Sequence, residues 1–383
     1  MIVQSDCRYY TGYKPCGKRE DCTACPHYSP WSSQILIIKL AAVGDVVRTT
    51  AILPGLRKHH PDSCITWLTD PAAIPLLKTN PMIDRLYPFT VDGLAAVQAA
   101  NYSLLLNFEK EPRALGFARN VTTYTRKGFA ASRSGTPIAA DADSEYALQL
   151  GLSDELKFRT NTLTYPQIIY EMAGLPYEGQ EYVLELGEES LAFARKFARR
   201  IGVAAESGAG SSGVACQPAK VIGINTGCGT VFPTKRWTVE GFVELIEDLA
   251  TIPGTRLLLL GGPLEREFNR AILARVGDRA IDSGCDNSIE DFLGIIECCD
   301  LVVSSDSLAM HLAIGRKKQL VAFFGPTCHQ EVDLFGRGEE IVTDFDCAPC
   351  YRTGCERHPS CMESLRGATV AAAVRRCLKR TKE

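Results

Sequence analysis

From Gln34 onward the chain alternates between short apolar runs and longer stretches with apolar residues at helical spacing. Residues 35–40, 64–69, 83–89 and 102–108 are short, apolar and bounded by turn or helix signals, which predicts buried strands. Residues 46–59 and 71–78 lie between them and predict helices. After residue 219 the alternation restarts, with strands expected at 221–225, 255–260, 300–304 and 319–324. Helices are expected at 239–250, 264–276, 289–298 and 308–314, and a last one at 365–378. Strands that are apolar on both faces and separated by helices build parallel sheets with helices on each side. The expected fold class is therefore α/β, with two doubly wound Rossmann-like domains in tandem. Ligands of such sheets bind outside the strand C-terminal ends, so the functional site is expected in the cleft between the domains.

The pattern also sets boundaries. Residues 1–33 form a Cys-rich N-terminal segment without periodicity, and 34–201 the first α/β domain. Residues 202–219 are small and low in complexity, as expected of a flexible linker or loop. Residues 220–345 form the second α/β domain, and 346–383 a Cys-rich loop with a C-terminal helix. No sequence-level internal repeat is evident.

Composition narrows the function. Among 383 residues, 45% are hydrophobic and 23% charged, which excludes wholesale disorder and suits two domains. A formal net charge of -3 provides no global basic field, so a nucleic-acid partner is not expected. No apolar run approaches the roughly 20 residues of a membrane span. The N-terminus lacks a basic region followed by an apolar core, so a cytoplasmic location is expected. Arg375, Arg376, Lys379, Arg380 and Lys382 suit the C-terminus of the last helix. Attraction to an anionic membrane surface, hence peripheral contact, is the alternative reading of these cations.

Candidate chemistry begins where the first strand ends, at Lys39-Leu-Ala-Ala-Val-Gly-Asp-Val-Val-Arg. Asp45 at the start of a helix can cap free N–H groups. At the C-terminal end of a strand it can equally face a cleft. No G-x-G-x-x-G follows either first strand, and neither a P-loop nor a G-x-S-x-G elbow occurs. Dinucleotide, P-loop and serine-hydrolase chemistry lose their main support.

Four segments in order resemble the bacterial heptosyltransferases, glycosyltransferase family nine. They are residues 35–54 around Gly44-Asp45, Asn225-Thr-Gly-Cys-Gly-Thr-Val-Phe-Pro-Thr-Lys-Arg-Trp, Leu260-Gly-Gly-Pro-Leu-Glu, and Ser305-Asp-Ser-Leu-Ala-Met-His-Leu-Ala. The resemblance spans about residues 34–380. It implies a GT-B type fold and inverting, metal-independent transfer of a sugar, usually from ADP-heptose to the inner core of lipopolysaccharide. It implies Asp45 as general base, and Lys235 on the donor phosphates. Glu265 would serve the ribose or base side of the donor, and Asp306 with His311 its sugar and phosphate. Thr226, Gly227 and Ser307 are expected in the same donor site, and Lys39 and Arg48 on the acceptor or phosphate side. The resemblance further implies an acceptor-side first domain, a glycolipid acceptor, and peripheral work at the cytoplasmic face of the inner membrane.

Lysine is a suitable point charge for phosphate, and the helix start after Asp306 can receive an anion. Taken singly, Lys235-Arg236 also reads as a solvated pair and His311 as a core histidine. Two positions depart from the family pattern. Leu308 stands where many members have glycine, and Arg48 where many have histidine. A nucleotide-sugar epimerase or hydrolase of the same fold, or a non-catalytic metal-bearing binding module, are the competing readings.

The cysteines stand apart, with 16 in the chain. Without a secretion signal, free thiols or metal ligands are favoured over disulfides. Cys7, Cys16, Cys22 and Cys25 form one cluster, and Cys347, Cys350, Cys355 and Cys361 another. Four thiolates in a short loop suit structural zinc or an iron–sulfur cluster, and unligated thiols are the alternative. The second cluster also resembles a segment common in the family, where it reads as a structural metal clip or paired thiols. No cofactor is expected for catalysis.

Overall fold

A computed structural model describes residues 2–203 and 220–380. The first sheet contains β1 (Ser33–Ile38), β2 (Ser63–Thr69), β3 (Arg85–Pro88), β4 (Tyr102–Asn107), β5 (Thr123–Ala131) and β6 (Pro137–Ala139). Its order is β3-β2-β1-β4-β5-β6, parallel except for the β5–β6 pair. The second sheet contains β7 (Lys220–Asn225), β8 (Thr255–Leu260), β9 (Ile281–Asp282), β10 (Leu301–Ser305), β11 (Gln319–Phe324) and β12 (Gly338–Val342). Its order is β12-β11-β10-β7-β8-β9. Each sheet reverses its winding beside its first strand, at β1/β4 and β7/β10, and both reversals point into the cleft.

The apolar runs are continuous because both faces of each sheet are covered. In β1, Ile35 and Ile37 pack with Trp67 and Leu106 on one face. Leu36 and Ile38 pack with Leu68 and Leu105 on the other. β7 and β8 repeat this arrangement, with Ile222 and Leu259 on one side and Val221 and Leu258 on the opposite side. Val47, Ala51 and Leu76 of the first domain share a cluster with Met310, Ile314 and Phe324 of the second. An apolar interface therefore joins the two sheets.

Where the sequence predicts one helix over 46–59, the chain forms two, Val43–Thr49 and Ile52–His59. Pro54 lacks the N–H that would continue the ladder. The Tyr170 hydroxyl enters the gap, accepting from the Gly55 N–H at 3.0 Å and donating to the Ala51 carbonyl at 2.9 Å. A side chain inserted into the i→i−4 ladder is a recognised cause of a kink.

The helix Glu188–Arg200 packs on the helix Ile289–Glu297 of the second sheet, placing Phe197 in the shared core. Of the linker expected at 202–219, residues 204–219 lie outside the described residues. At the chain's end, the helix Gly367–Arg380 packs on the helix Val239–Leu249. Arg375 pairs with Asp248 at 2.6 Å, and Arg376 and Arg380 pair with Glu339 at 2.7 and 3.1 Å. These three cations thus have acidic partners on their own domain. Among the described residues no helix is long and apolar enough to cross a membrane.

Candidate functional site

The wall on the first-domain side is made where β1 hands over to the helix Val43–Thr49. Lys39 is buried, and its ammonium donates to Glu109 and to the Ala41 carbonyl, each at 2.7 Å. The same Glu109 oxygen accepts the Leu40 and Ala41 N–H groups at 2.9 and 3.1 Å. Lys39 thereby braces the turn from behind and does not line the cleft cavity. That bracing sets the entry angle of the helix and so aims Asp45.

Asp45 has two local partners. Its Oδ2 accepts the Ala42 N–H at 3.3 Å, and its Oδ1 lies 2.9 Å from Arg48 Nε. The side chain keeps 35% exposure toward the cleft. Burial pushes its pKa up, but the Arg48, Lys39 and His311 side chains together outweigh burial and hold it at about 2. The carboxylate is therefore ionised throughout the neutral range. Arg48 itself is fixed by the Tyr165 ring 3.7 Å below it and by Glu331 of the second domain at 3.6 Å.

The opposite wall is assembled from three strand ends of the second sheet. After β7, Asn225 Nδ2 donates to the Gly227 carbonyl, Ser304 Oγ and Ser307 Oγ at 2.8, 3.0 and 3.1 Å. Asn225 thus ties the β7 loop to the β10 loop. Lys235 donates to the Asp306 carbonyl at 2.7 Å and stands 3.6 Å from its carboxylate. After β8, Glu265 is buried, accepts the Gly262 N–H at 3.0 Å and lies 3.5 Å from Arg236. After β10, Ser307 precedes the helix Leu308–Gly315, and Ser307, Leu308 and Ala309 line the cavity. The unpaired N–H groups of a helix start carry partial positive charge and suit an anion.

The two walls meet at Gly44 and His311. They enclose a cavity of about 700 Å³ lined by Asp45, Arg48, Lys235, Glu265, Asp306 and His311. His311 is buried, its Nε2 lies 4.0 Å from Asp306, and its Nδ1 has no partner among the described residues. Burial above all, and then the charge of Arg48, lowers its pKa to about 4. The ring is neutral at ordinary pH.

Of the residues expected from sequence, Asp45, Arg48, Gly227, Lys235, Glu265, Asp306, Ser307 and His311 line this one cavity. Thr226 does not. It is buried beneath the wall, donating to the Leu260 carbonyl at 3.0 Å and to Asn269 at 2.5 Å. Sequence reasoning did not identify Glu331, Lys157 or Tyr351, all of which line the cavity. None sits in a motif: Glu331 follows the end of β11, Lys157 comes from the first domain, and Tyr351 from the C-terminal Cys-rich loop. Tyr351 stacks on Phe158 with ring centroids 5.4 Å apart, and its hydroxyl accepts the Cys328 N–H at 3.1 Å.

All described cysteines are free thiols. Cys347, Cys350, Cys355 and Cys361 line one pocket of about 390 Å³. Cys7, Cys16, Cys22 and Cys25 line another of about 440 Å³. Among the described residues, no three His, Cys, Asp or Glu side chains are drawn together closely enough to ligate an ion.

Lipooligosaccharide heptosyltransferase 2 of Campylobacter jejuni is 27% identical over 167 residues, which are 42% of this chain and 51% of that protein. The chain thus spans about half the length of the first curated relatives it matches. A family 9 glycosyl transferase from Veillonella parvula has the same fold, with a TM-score of 0.68 and 19% identity. That match covers 91% of this chain and 98% of that one. Escherichia coli ADP-heptose LPS heptosyltransferase II superposes with a TM-score of 0.65 at 18% identity, covering 91% of this chain and 100% of that one. These likenesses establish the GT-B type arrangement of two α/β domains. The sequence model of glycosyltransferase family 9 (heptosyltransferase) matches residues 101–360, more than half of the chain, and the chain belongs to that family.

Proposed function

We propose that this chain is an inverting glycosyltransferase. It would move heptose from ADP-heptose to a lipopolysaccharide inner-core or related glycolipid acceptor. The observation that carries the reading is the opposition of an ionised Asp45 to Lys235, Asp306, His311 and a free helix start across one cavity. An acceptor hydroxyl beside Asp45 gives its proton to the carboxylate as its oxygen attacks the anomeric carbon. The bond from that carbon to the ADP oxygen breaks on the opposite face, so a single displacement inverts the configuration.

Charge that develops on the leaving diphosphate is met by Lys235 and by the N–H groups at Ser307, Leu308 and Ala309. Donors held in place before reaction cost no reorganisation when the charge appears. With these groups the transfer needs no metal. Glu265 would serve the ribose or base side of the donor, and neutral His311 its sugar and phosphate.

In this reading the first domain receives the acceptor. The protein works in the cytoplasm and meets its glycolipid at the cytoplasmic face of the inner membrane. Cys347, Cys350, Cys355 and Cys361 then act as a structural clip, by metal or by paired thiols, that seats Tyr351 in the cavity wall. Product analysis with ADP-heptose tests the proposal. ADP released only when a lipid acceptor is present supports transfer, release without acceptor indicates a hydrolase, and no turnover indicates a binding module.

A further inference from the structure

Three successive residues of the first domain are fastened to the second. They lie in a single π-helical turn, Leu156–Thr160, an irregularity that is frequent at functional sites. The Lys157 carbonyl accepts the Cys328 thiol at 3.6 Å, and the Phe158 carbonyl accepts Gln330 Nε2 at 3.2 Å. Arg159 donates to the Ala348 and Asp346 carbonyls at 3.1 and 2.8 Å. The Phe158 ring is stacked on Tyr351.

This fastening leaves one group uncommitted. Lys157 lines the cleft cavity, and its side chain is 27% exposed. Its ammonium stands 3.6 Å from Glu331 and 4.6 Å from the centre of the Tyr351 ring, and among the described residues it donates no hydrogen bond. Arg48, which shares Glu331 with it, is already held by Asp45 at 2.9 Å. Lys235 already donates to the Asp306 carbonyl. Against four carboxylates, the described lining of the cavity holds three cations, Arg48, Lys157 and Lys235. A multiply charged anion held by Lys235 alone would meet more negative than positive charge.

The neighbours of Lys157 indicate which anion it serves. Tyr351, under the ammonium, meets Phe232 edge-on with ring centroids 5.3 Å apart. Phe232 belongs to the loop that runs from β7 to Lys235, and Thr234 of that loop donates to the Arg352 carbonyl beside Tyr351 at 2.6 Å. Lys157 is thereby tied through Tyr351 to the loop that carries Lys235.

We propose that Lys157 binds the diphosphate of the nucleotide-sugar donor, as a second cation that reaches it from the first domain. The inference rests on the reading of this cavity as a donor site. Lys235 meets the diphosphate from one wall and Lys157 from the other, so the bound donor bridges the two domains. An ammonium is a compact point charge suited to phosphate oxygens. Its backbone is held beforehand by Cys328 and Gln330, so less freedom is lost when the anion arrives.

The test is calorimetry with ADP on the full-length protein, comparing wild type, Lys157→Met and Lys157→Arg. Methionine keeps an unbranched stem against Tyr351 and removes the charge. ADP affinity should fall by about five- to thirtyfold in Lys157→Met and return to within about threefold of wild type in Lys157→Arg. Added salt should weaken ADP binding less steeply in Lys157→Met, because one ion pair with the ligand is gone. Unfolding curves of all three proteins should coincide. Wild type and Lys157→Met binding ADP equally would overturn the proposal, and a raised acceptor KM in that variant would move the lysine to an anionic group of the acceptor. Weaker binding that comes with lower stability and is not restored by arginine would overturn it too, in favour of a structural role. A wild-type protein that binds no ADP would instead remove the donor-site reading itself, and this proposal with it.

Discussion

Gly44, in the first turn of the helix Val43–Thr49, lies against His311 on the helix Leu308–Gly315 of the other domain. A Cβ at Gly44 would stand 2.8 Å from His311 Cδ2. Gly44 is not among the positive-φ residues, so space alone accounts for the glycine. Two effects oppose each other in Gly44→Ala. Helix propensity favours alanine by about 1 kcal/mol, but the buried ring must give way or the helices must part. Overpacking of this kind costs about 1–3 kcal/mol and should win. The variant is expected to unfold at lower denaturant concentration and to turn over at least about tenfold more slowly, because the misplaced wall carries Asp45. Unfolding curves and turnover unchanged from wild type would refute the contact.

Arg48 is shared between domains, 2.9 Å from Asp45 and 3.6 Å from Glu331. Lys157 also stands 3.6 Å from Glu331. With Glu331→Gln the guanidinium loses its second carboxylate, so its field bears on Asp45 alone and lowers that pKa further. A weaker base transfers a proton less readily, so turnover should fall by roughly three- to tenfold with little change in ADP affinity. The acidic limb of the pH–rate profile should move to lower pH. A profile that keeps its position would count against this positioning role.

His311 makes stability depend on pH. Its folded pKa of about 4 lies below the ordinary 6.5, so the unfolded chain binds the proton more readily. The contribution is therefore complete above pH 6.5 and is lost progressively as pH falls toward 4. Its size is on the order of 3 kcal/mol. His311→Gln should flatten the slope of unfolding free energy in that window. Equal slopes for the two proteins would show that the histidine is not neutralised by its surroundings.

Lys235→Ala should weaken ADP binding by about ten- to a hundredfold, the value of one hydrogen bond to a charged group. Calorimetry with ADP reads this directly. A variant that binds ADP as well as wild type would leave Lys235 only its bond to the Asp306 carbonyl.

Much of this was legible in the chain because it rests on local patterns. The runs at 255–260 and 319–324 coincide with β8 and β11, since strands buried on both faces are uniformly apolar. The residues from Asp45 to His311 that share the cavity sit at strand ends, where the fold dictates the position. What escaped depends on tertiary contact. The break before Ile52 needs the hydroxyl of Tyr170, more than a hundred residues away in sequence. Lys39 pairs with Glu109, so a lysine expected on the acceptor or phosphate side became a brace. Thr226 follows an inward-facing strand end, and its hydroxyl found Asn269 instead of the cleft. Glu331 and Tyr351 come from loops whose paths no periodicity records.

The central claim is that Asp45 is the base of an acceptor-dependent transfer, beyond its role as a cap. Asp45→Asn separates the two roles, because an asparagine oxygen can still accept the Ala42 N–H while taking no proton. The decisive measurement is acceptor-dependent ADP release by Asp45→Asn, with ADP affinity measured on the same sample. Turnover should fall by about 10²–10⁴-fold while ADP affinity and unfolding stay near wild type. Retained turnover, or loss of ADP binding in step with loss of stability, would contradict the assignment.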